Sequence, residues 1–114
     1  MPFIETKLNF SISPERETAL KAKLGKAIAL LPGKSERWLM LNFEENCRLW
    51  FAGENNAPMA MVEVELFGQA SPADCEALTA RICELFAAEL GIAPDHVYVN
   101  YTFSTAWGWN GTNF

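Results

Sequence analysis

Polar and apolar residues alternate from Phe3 to Leu8, with Phe3, Glu5 and Lys7 on one side and Ile4, Thr6 and Leu8 on the other. That period of two predicts a half-buried strand, bounded by the polar stretch "SISPE". The period then lengthens. Between Pro14 and about Leu31, Ala19, Leu20, Leu24, Ala27, Ile28 and Leu31 fall at helical spacing, while Lys21, Lys23 and Lys26 lie largely elsewhere. Ser13 is a natural N-cap, Pro14 suits the first helical position, and Pro32-Gly33 stops the helix. "RWLMLNFEE" predicts a second strand, and "CRLWFAGE" with "NNAP" a short strand and a turn. "MAMVEVELFG" predicts a third main strand. Ser71, Pro72 and Asp74 repeat the helix-start chemistry, and Leu78, Ile82, Leu85, Phe86 and Leu90 share one face of a helix that Gly91 ends. "HVYVNYTFS" is a strand again, followed by an aromatic, turn-rich tail.

The two halves repeat each other: strand, Ser-Pro-capped helix, Gly, strand. The pattern predicts an α+β fold in which duplicated βαβ units form a four-stranded mixed sheet. Right-handed crossovers place both helices on the same face of that sheet. "WLMLNF" and "VYVNYTF" read as apolar on both sides, so the uncovered face is expected to meet something, sister subunits being the simplest candidate.

At 114 residues the chain fits one domain, expected to span 1–114 around a single core. Half of it is apolar, with 4 Trp and 8 Phe, more than a small monomer easily hides, which again points to an oligomer. A formal charge of −5 and pI near 4.8 exclude a broad nucleic-acid or anionic-membrane surface, so any anion site must be local. No signal peptide or membrane-length apolar run is visible, and the expectation is a cytoplasmic protein with leaderless release as its route out. Cys47, Cys75 and Cys83 make an odd count without a CxxC pair, and one His accompanies them. Buried free thiols are expected, with no disulfide, metal site or cofactor. The triplets Asn9-Phe10-Ser11 and Asn110-Gly111-Thr112 carry no weight without secretion.

Four motifs stand in order along the chain: "MPF" at the start, "GK" at Gly33-Lys34, "PDHVYVNY" at Pro94 to Tyr101, and "GWNGTNF" at Gly108 to Phe114. With them the whole chain resembles the macrophage migration inhibitory factor and D-dopachrome tautomerase family, including its bacterial and protozoan members. The resemblance implies a homotrimer with active sites between subunits and a cofactor-independent keto-enol tautomerase of the phenylpyruvate type. Its alternative is a cytokine-like ligand whose pocket is secondary, acting on a host receptor.

The residue carrying the chemistry would be Pro2. Methionine before proline is normally removed, leaving a secondary amine whose pKa a nearby cation and desolvation would lower from the usual 7.7–8.0 or so. An amine poised there is a good general base. On physics alone, Pro2 could equally start an edge strand where a missing N–H costs nothing. Lys34 could likewise simply complement the negative end of the first helix; the resemblance instead gives it the substrate carboxylate. Asn100, an amide in mid-strand, is either a satisfied structural group or a substrate donor. The resemblance places it and Tyr98 at a neighbouring subunit's site, and gives Phe3, Trp38, Leu66, Phe67, Trp107, Trp109 and Phe114 to the aromatic pocket. Trp38, Phe67 and Trp107 replace the tyrosine, isoleucine and valine of the mammalian proteins, which implies a narrower pocket. Met59-Ala60-Met61-Val62 stands where the mammalian cytokine has CxxC, so thiol redox chemistry is rejected. His96 is read as a surface residue.

Overall fold

The computed structural model describes all residues, Met1–Phe114. Strand β1 (Pro2–Leu8) leads to helix α1 (Pro14–Ala27), strand β2 (Met40–Glu44), strand β3 (Ala60–Phe67), helix α2 (Pro72–Leu90) and strand β4 (Val97–Ser104); a small hairpin, β5 (Gly108–Trp109) and β6 (Thr112–Asn113), ends the chain. The sheet order is β2-β1-β3-β4. β1 runs parallel to β2 and antiparallel to β3, and β3 runs parallel to β4. The predicted mixed sheet of two βαβ units is therefore present, with the first strand inside it.

Both helices start as predicted. Ser13 and Ser71 accept hydrogen bonds from the backbone N–H of Arg16 and Asp74 at 3.2 and 3.1 Å, with proline in the first turn of each helix. Their ends differ. α2 stops at Gly91 in the left-handed conformation (φ +68°). α1 tightens into a 3-10 turn at Ile28–Leu30, and Leu31 is extended, earlier than the periodicity predicted. A residue before proline is driven out of helical conformation, which accounts for the early stop.

One cluster of 18 buried side chains fills the space between sheet and helices, including Ile4, Leu8, Leu20, Leu24, Val62, Leu66, Ile82 and Phe86. Thr6 is a fully buried polar residue on the same side of β1, and its hydroxyl has no hydrogen-bond partner. The Tyr101 hydroxyl donates to the Cys75 carbonyl at 2.8 Å and lies 2.8 Å from Thr79 Oγ1, tying β4 to α2. The cysteines are free but half-buried rather than buried. Partial burial pushes the thiols of Cys75 and Cys83 up, Asp74 adding to the effect at Cys75.

The uncovered face is more polar than expected. Leu41 and Phe43 lie beside Ile4 and Thr6 and pack on the core, so β2 presents Met40, Asn42 and Glu44 to the other side. Glu5 and Glu63 are paired across β1 and β3, with Asn42 and Asn100 at the flanks. Residues 47–50 form no strand; Phe51 and Glu54 instead close a tight turn over Ala52 and Gly53, both at positive φ. A strand needs a ladder partner, and the single chain offers none there.

Phe86→Ala should cost about 3–5 kcal/mol by opening a cavity at the centre of the cluster, whereas Met40→Ala on the uncovered face should stay within about 0.5 kcal/mol. Urea midpoints of the two variants check this; equal losses would mean the uncovered face is packed as tightly as the core.

Candidate functional site

The site forms where β1 begins. Pro2 pairs with Leu66 of β3, and Phe67 N–H donates to the Met1 carbonyl at 3.0 Å. β1 lies between β2 and β3, so the edge-strand account of Pro2 does not hold. The proline is tolerated because it is the strand's first residue.

Lys34 reaches this point from the opposite layer. After α1, the chain turns through Gly33 (φ +79°), and Lys34 N–H donates to the Leu31 carbonyl at 3.0 Å. The half-buried ammonium then donates to the Phe67 carbonyl at 2.8 Å, joining the α1–β2 connection to the end of β3 rather than capping α1. The chain-terminal amine lies beside it. Burial, and secondarily the charge and hydrogen bond of Lys34, hold that amine below its ordinary pKa. With Met1 in place the Pro2 nitrogen is an amide. Removing Met1 would move the free amine one residue along β1 and deprive the Phe67 N–H of its acceptor, leaving that N–H and the Lys34 ammonium as neighbouring donors.

Aromatic rings wall the adjacent cleft. Trp38, in the 3-10 turn Glu36–Trp38, meets Trp109 edge-on at 5.0 Å between centroids. Trp109 stacks on Phe114 at 6.2 Å, and Phe114 tilts against Phe67 at 5.8 Å. The tail is held by the β5–β6 hairpin, which reverses at Asn110-Gly111, and by a 3.0 Å bond from Phe114 N–H to the Trp107 carbonyl. The cleft encloses about 450 Å³, and its lining includes Pro2, Phe3, Trp38, Trp107 and Trp109.

Lys34, Phe67 and Phe114 stand beside this lining rather than in it, and three further sequence-derived site residues lie elsewhere. Leu66 is wholly buried on the helix side of the sheet, because strand alternation gives the opposite side to Glu65. It is a core residue and cannot line the cleft. Tyr98 and Asn100 do face the uncovered side, but at the far end of β4. Pro2 is level with Leu66 and Phe103, whereas Asn100 is three residues and Tyr98 five residues back along β4. That is about 10 and 16 Å along the strand, plus two strand spacings of about 4.8 Å. Tyr98 packs on Phe51 at 5.3 Å, and Phe51 also meets His96. His96 is half-buried there, 2.7 Å from Asp95, and is not the free surface residue expected.

Arg37 and Glu65 also line the cleft and were missed. Glu65 was legible from alternation, since it faces the same way as Phe3, its partner in the β1–β3 ladder. Arg37 could have been found as a cation next to an aromatic in a turn. No group of three or more His, Cys, Asp or Glu is arranged to hold a metal ion, and no helix is long and apolar enough to cross a membrane.

Comparison with known proteins agrees with this geometry. The family model for macrophage migration inhibitory factor (MIF) matches residues 1–114. A macrophage migration inhibitory factor from Meriones unguiculatus is 28% identical over 116 residues, covering 100% of this chain and 97% of the relative. The structure of Leishmania major MIF2 superposes with a TM-score of 0.92 at 34% identity, covering 100% of this chain and 97% of that one. A homologue from Prochlorococcus marinus gives 0.81 at 25% identity over 98% of each chain.

With Met1 retained, the terminal amine should titrate below the usual 7.7–8.0 or so. Lys34→Met should move it upward, yet short of that range, because burial is the larger cause and remains. An NMR titration of labelled Met1 reads both values; an unchanged pKa in the variant would remove Lys34 from the account.

Proposed function

The chain belongs to the macrophage migration inhibitory factor family, and from that premise we propose that it is a cofactor-free keto-enol tautomerase of arylpyruvates, with the Pro2 amine as base once Met1 is removed. The observation carrying this reading is the convergence of the chain's terminal amine, the Lys34 ammonium and the Phe67 backbone beside an aromatic cleft. An amine held below its usual pKa by burial and a cation keeps a larger share of its neutral form near pH 7, the state a base requires.

The step needs one proton. In the ketonising direction the neutral Pro2 amine takes the enol hydroxyl proton, and the resulting ammonium returns it to the adjacent carbon as the C=C electrons move to form the new C–H bond. Lys34 and the freed Phe67 N–H hold the carboxylate and offset negative charge as it develops. Trp38, Trp107 and Trp109 take the ring, with Phe3 below them and Phe67 and Phe114 backing the wall. Asn100 and Tyr98 lie too far along their own sheet to act beside the same chain's Pro2. They enter this reading only from a neighbouring copy, in a homotrimer with sites between subunits. The names of the relatives favour a second reading, a signalling ligand acting through its surface; replacing Pro2 would then abolish turnover and leave receptor binding intact.

Processed protein should ketonise enol-phenylpyruvate well above the buffer rate, and Pro2→Ala should lower kcat/KM by about 10²–10⁴-fold, the usual span for a positioned base. Stopped-flow absorbance of the two proteins, with Met1 removal verified by mass, measures it; equal rates at the buffer level would end the tautomerase reading. A mixing experiment tests the shared site. Lys34→Met and Asn100→Ala chains, each impaired alone, should recover activity when refolded together, since some sites then combine two intact contributions. No recovery in a mixed oligomer would place all the working residues in one chain.

A further inference from the structure

We propose that Arg37 is a second anion anchor and makes the cleft selective for arylpyruvates that carry another carboxylate on the ring, at the end away from the keto acid. The inference rests on the tautomerase reading for the orientation of the substrate, with its keto-acid end at Lys34, and on four observations independent of it. Arg37 is the basic side chain in the lining of the cleft that holds Pro2. Its guanidinium lies over the Trp38 ring, 5.2 Å from the centroid, and Trp38 is itself braced by Trp109. A flat cation resting on a fixed ring is held at the wall with less freedom to lose on binding. The four ion pairs of the chain involve Lys7, Lys23, Arg81 and His96, so no carboxylate of the protein neutralises Arg37.

Glu65 directs the choice of side. It borders both this cleft and the adjoining depression formed with Thr102 and Ser104, on the flank of Trp107 and Gly108. A carboxylate there repels an anion from that flank and leaves the Arg37 flank as the favourable one. An uncharged ring can enter from either side; a ring with a second carboxylate has one orientation, with an anion at Lys34 and the other at Arg37. A bidentate pairing of a carboxylate with a guanidinium held against the Trp38 ring contributes about 1.4 kcal/mol, which is about tenfold in affinity.

The test uses processed protein and two unreactive probes, cinnamate and 4-carboxycinnamate, with tryptophan quenching as the readout. At low salt the dianion should bind about tenfold more tightly than the monoanion, with the advantage shrinking as salt rises. Arg37→Met keeps an unbranched apolar chain over Trp38 and should erase that preference while changing cinnamate binding less than about twofold. Arg37→Lys should retain part of it. In turnover, 4-carboxyphenylpyruvate should lose about tenfold in kcat/KM in Arg37→Met, and phenylpyruvate little. Equal losses for both probes would make Arg37 a prop for Trp38 and overturn the proposal, as would a wild-type protein that binds the two alike. A wild-type preference for the dianion without turnover of either keto acid would leave Arg37 as the anchor and remove the tautomerase reading instead.

Discussion

The antiparallel ladder between β1 and β3 is the constraint on which the rest of the site depends. It runs from Pro2 opposite Leu66 to Leu8 opposite Ala60, and the Met1–Phe67 bond continues it to the chain terminus. Terminal residues usually fray because nothing holds their backbone. Here the terminus lies in the interior of a sheet whose helix side is fully packed, and every second residue of β1 is locked into the core. An amine can be perturbed by burial and a neighbouring charge only if it stays where those influences are strong. The ladder supplies that fixity, and Lys34, by bonding the Phe67 carbonyl, ties the cation to the same strand end. Terminal amine and cation are thus referenced to one short piece of backbone.

The acidic composition sharpens this arrangement. Lys34 and Arg37 come from a single connection, the turn between α1 and β2, and neither is paired with a carboxylate. A chain of net charge −5 can therefore present a local positive potential at the cleft while the rest of its surface repels anions. Aromatic side chains make that possible by holding the connection in place. The rings from Trp38 through Trp109 and Phe114 to Phe67 link the α1–β2 turn, the C-terminal hairpin and the end of β3.

Much of the fold was legible because each signal was local. Ser-Pro caps and the run of Leu78, Ile82, Leu85, Phe86 and Leu90 need only the neighbouring turns to be interpreted, and both helices began where those signals lay. The errors arose where a distant element decides. "WLMLNF" looked apolar on both sides because Trp38 and Leu39 were counted in the strand; a 3-10 turn precedes β2, and the strand's outward residues are Met40, Asn42 and Glu44. The stretch 47–50 has strand composition without a strand to pair with. At the site, "MPF" and the tail residues Trp107 to Trp109 line one cleft, with Lys34 beside its Met1 end, whereas "VYVN" does not reach it within the chain. Leu66 was misplaced by one step of strand alternation, the smallest slip that exchanges core for cleft. Arg37 beside Trp38 was a visible local pair, but that the pair faces the Pro2 cleft depends on the fold of the α1–β2 connection.

The separation of Pro2 from Asn100 and Tyr98 bears on how such a protein can be built at all. In a rigid ladder, residues three and five places from the level of Pro2 cannot be brought to it by side-chain motion; about 10 and 16 Å exceed the reach of an asparagine or tyrosine. Local unfolding of β4 would detach Val97 from the core and break the Tyr101 links to α2. Either those two residues have nothing to do with the Pro2 cleft, or a second copy of the chain brings its own to the first. Their surroundings favour the second choice. Tyr98 is 62% exposed beside the half-open apolar recess of Leu49, Phe51 and Met61, and Trp50 next to it is 66% exposed. Apolar surface of that kind, bordered by a backbone stretch with no ladder partner, is better covered than solvated. Under the proposed function, one association would cover it and carry Asn100 and Tyr98 to another chain's cleft, and the exposed recess would then help to drive the assembly that the reading requires.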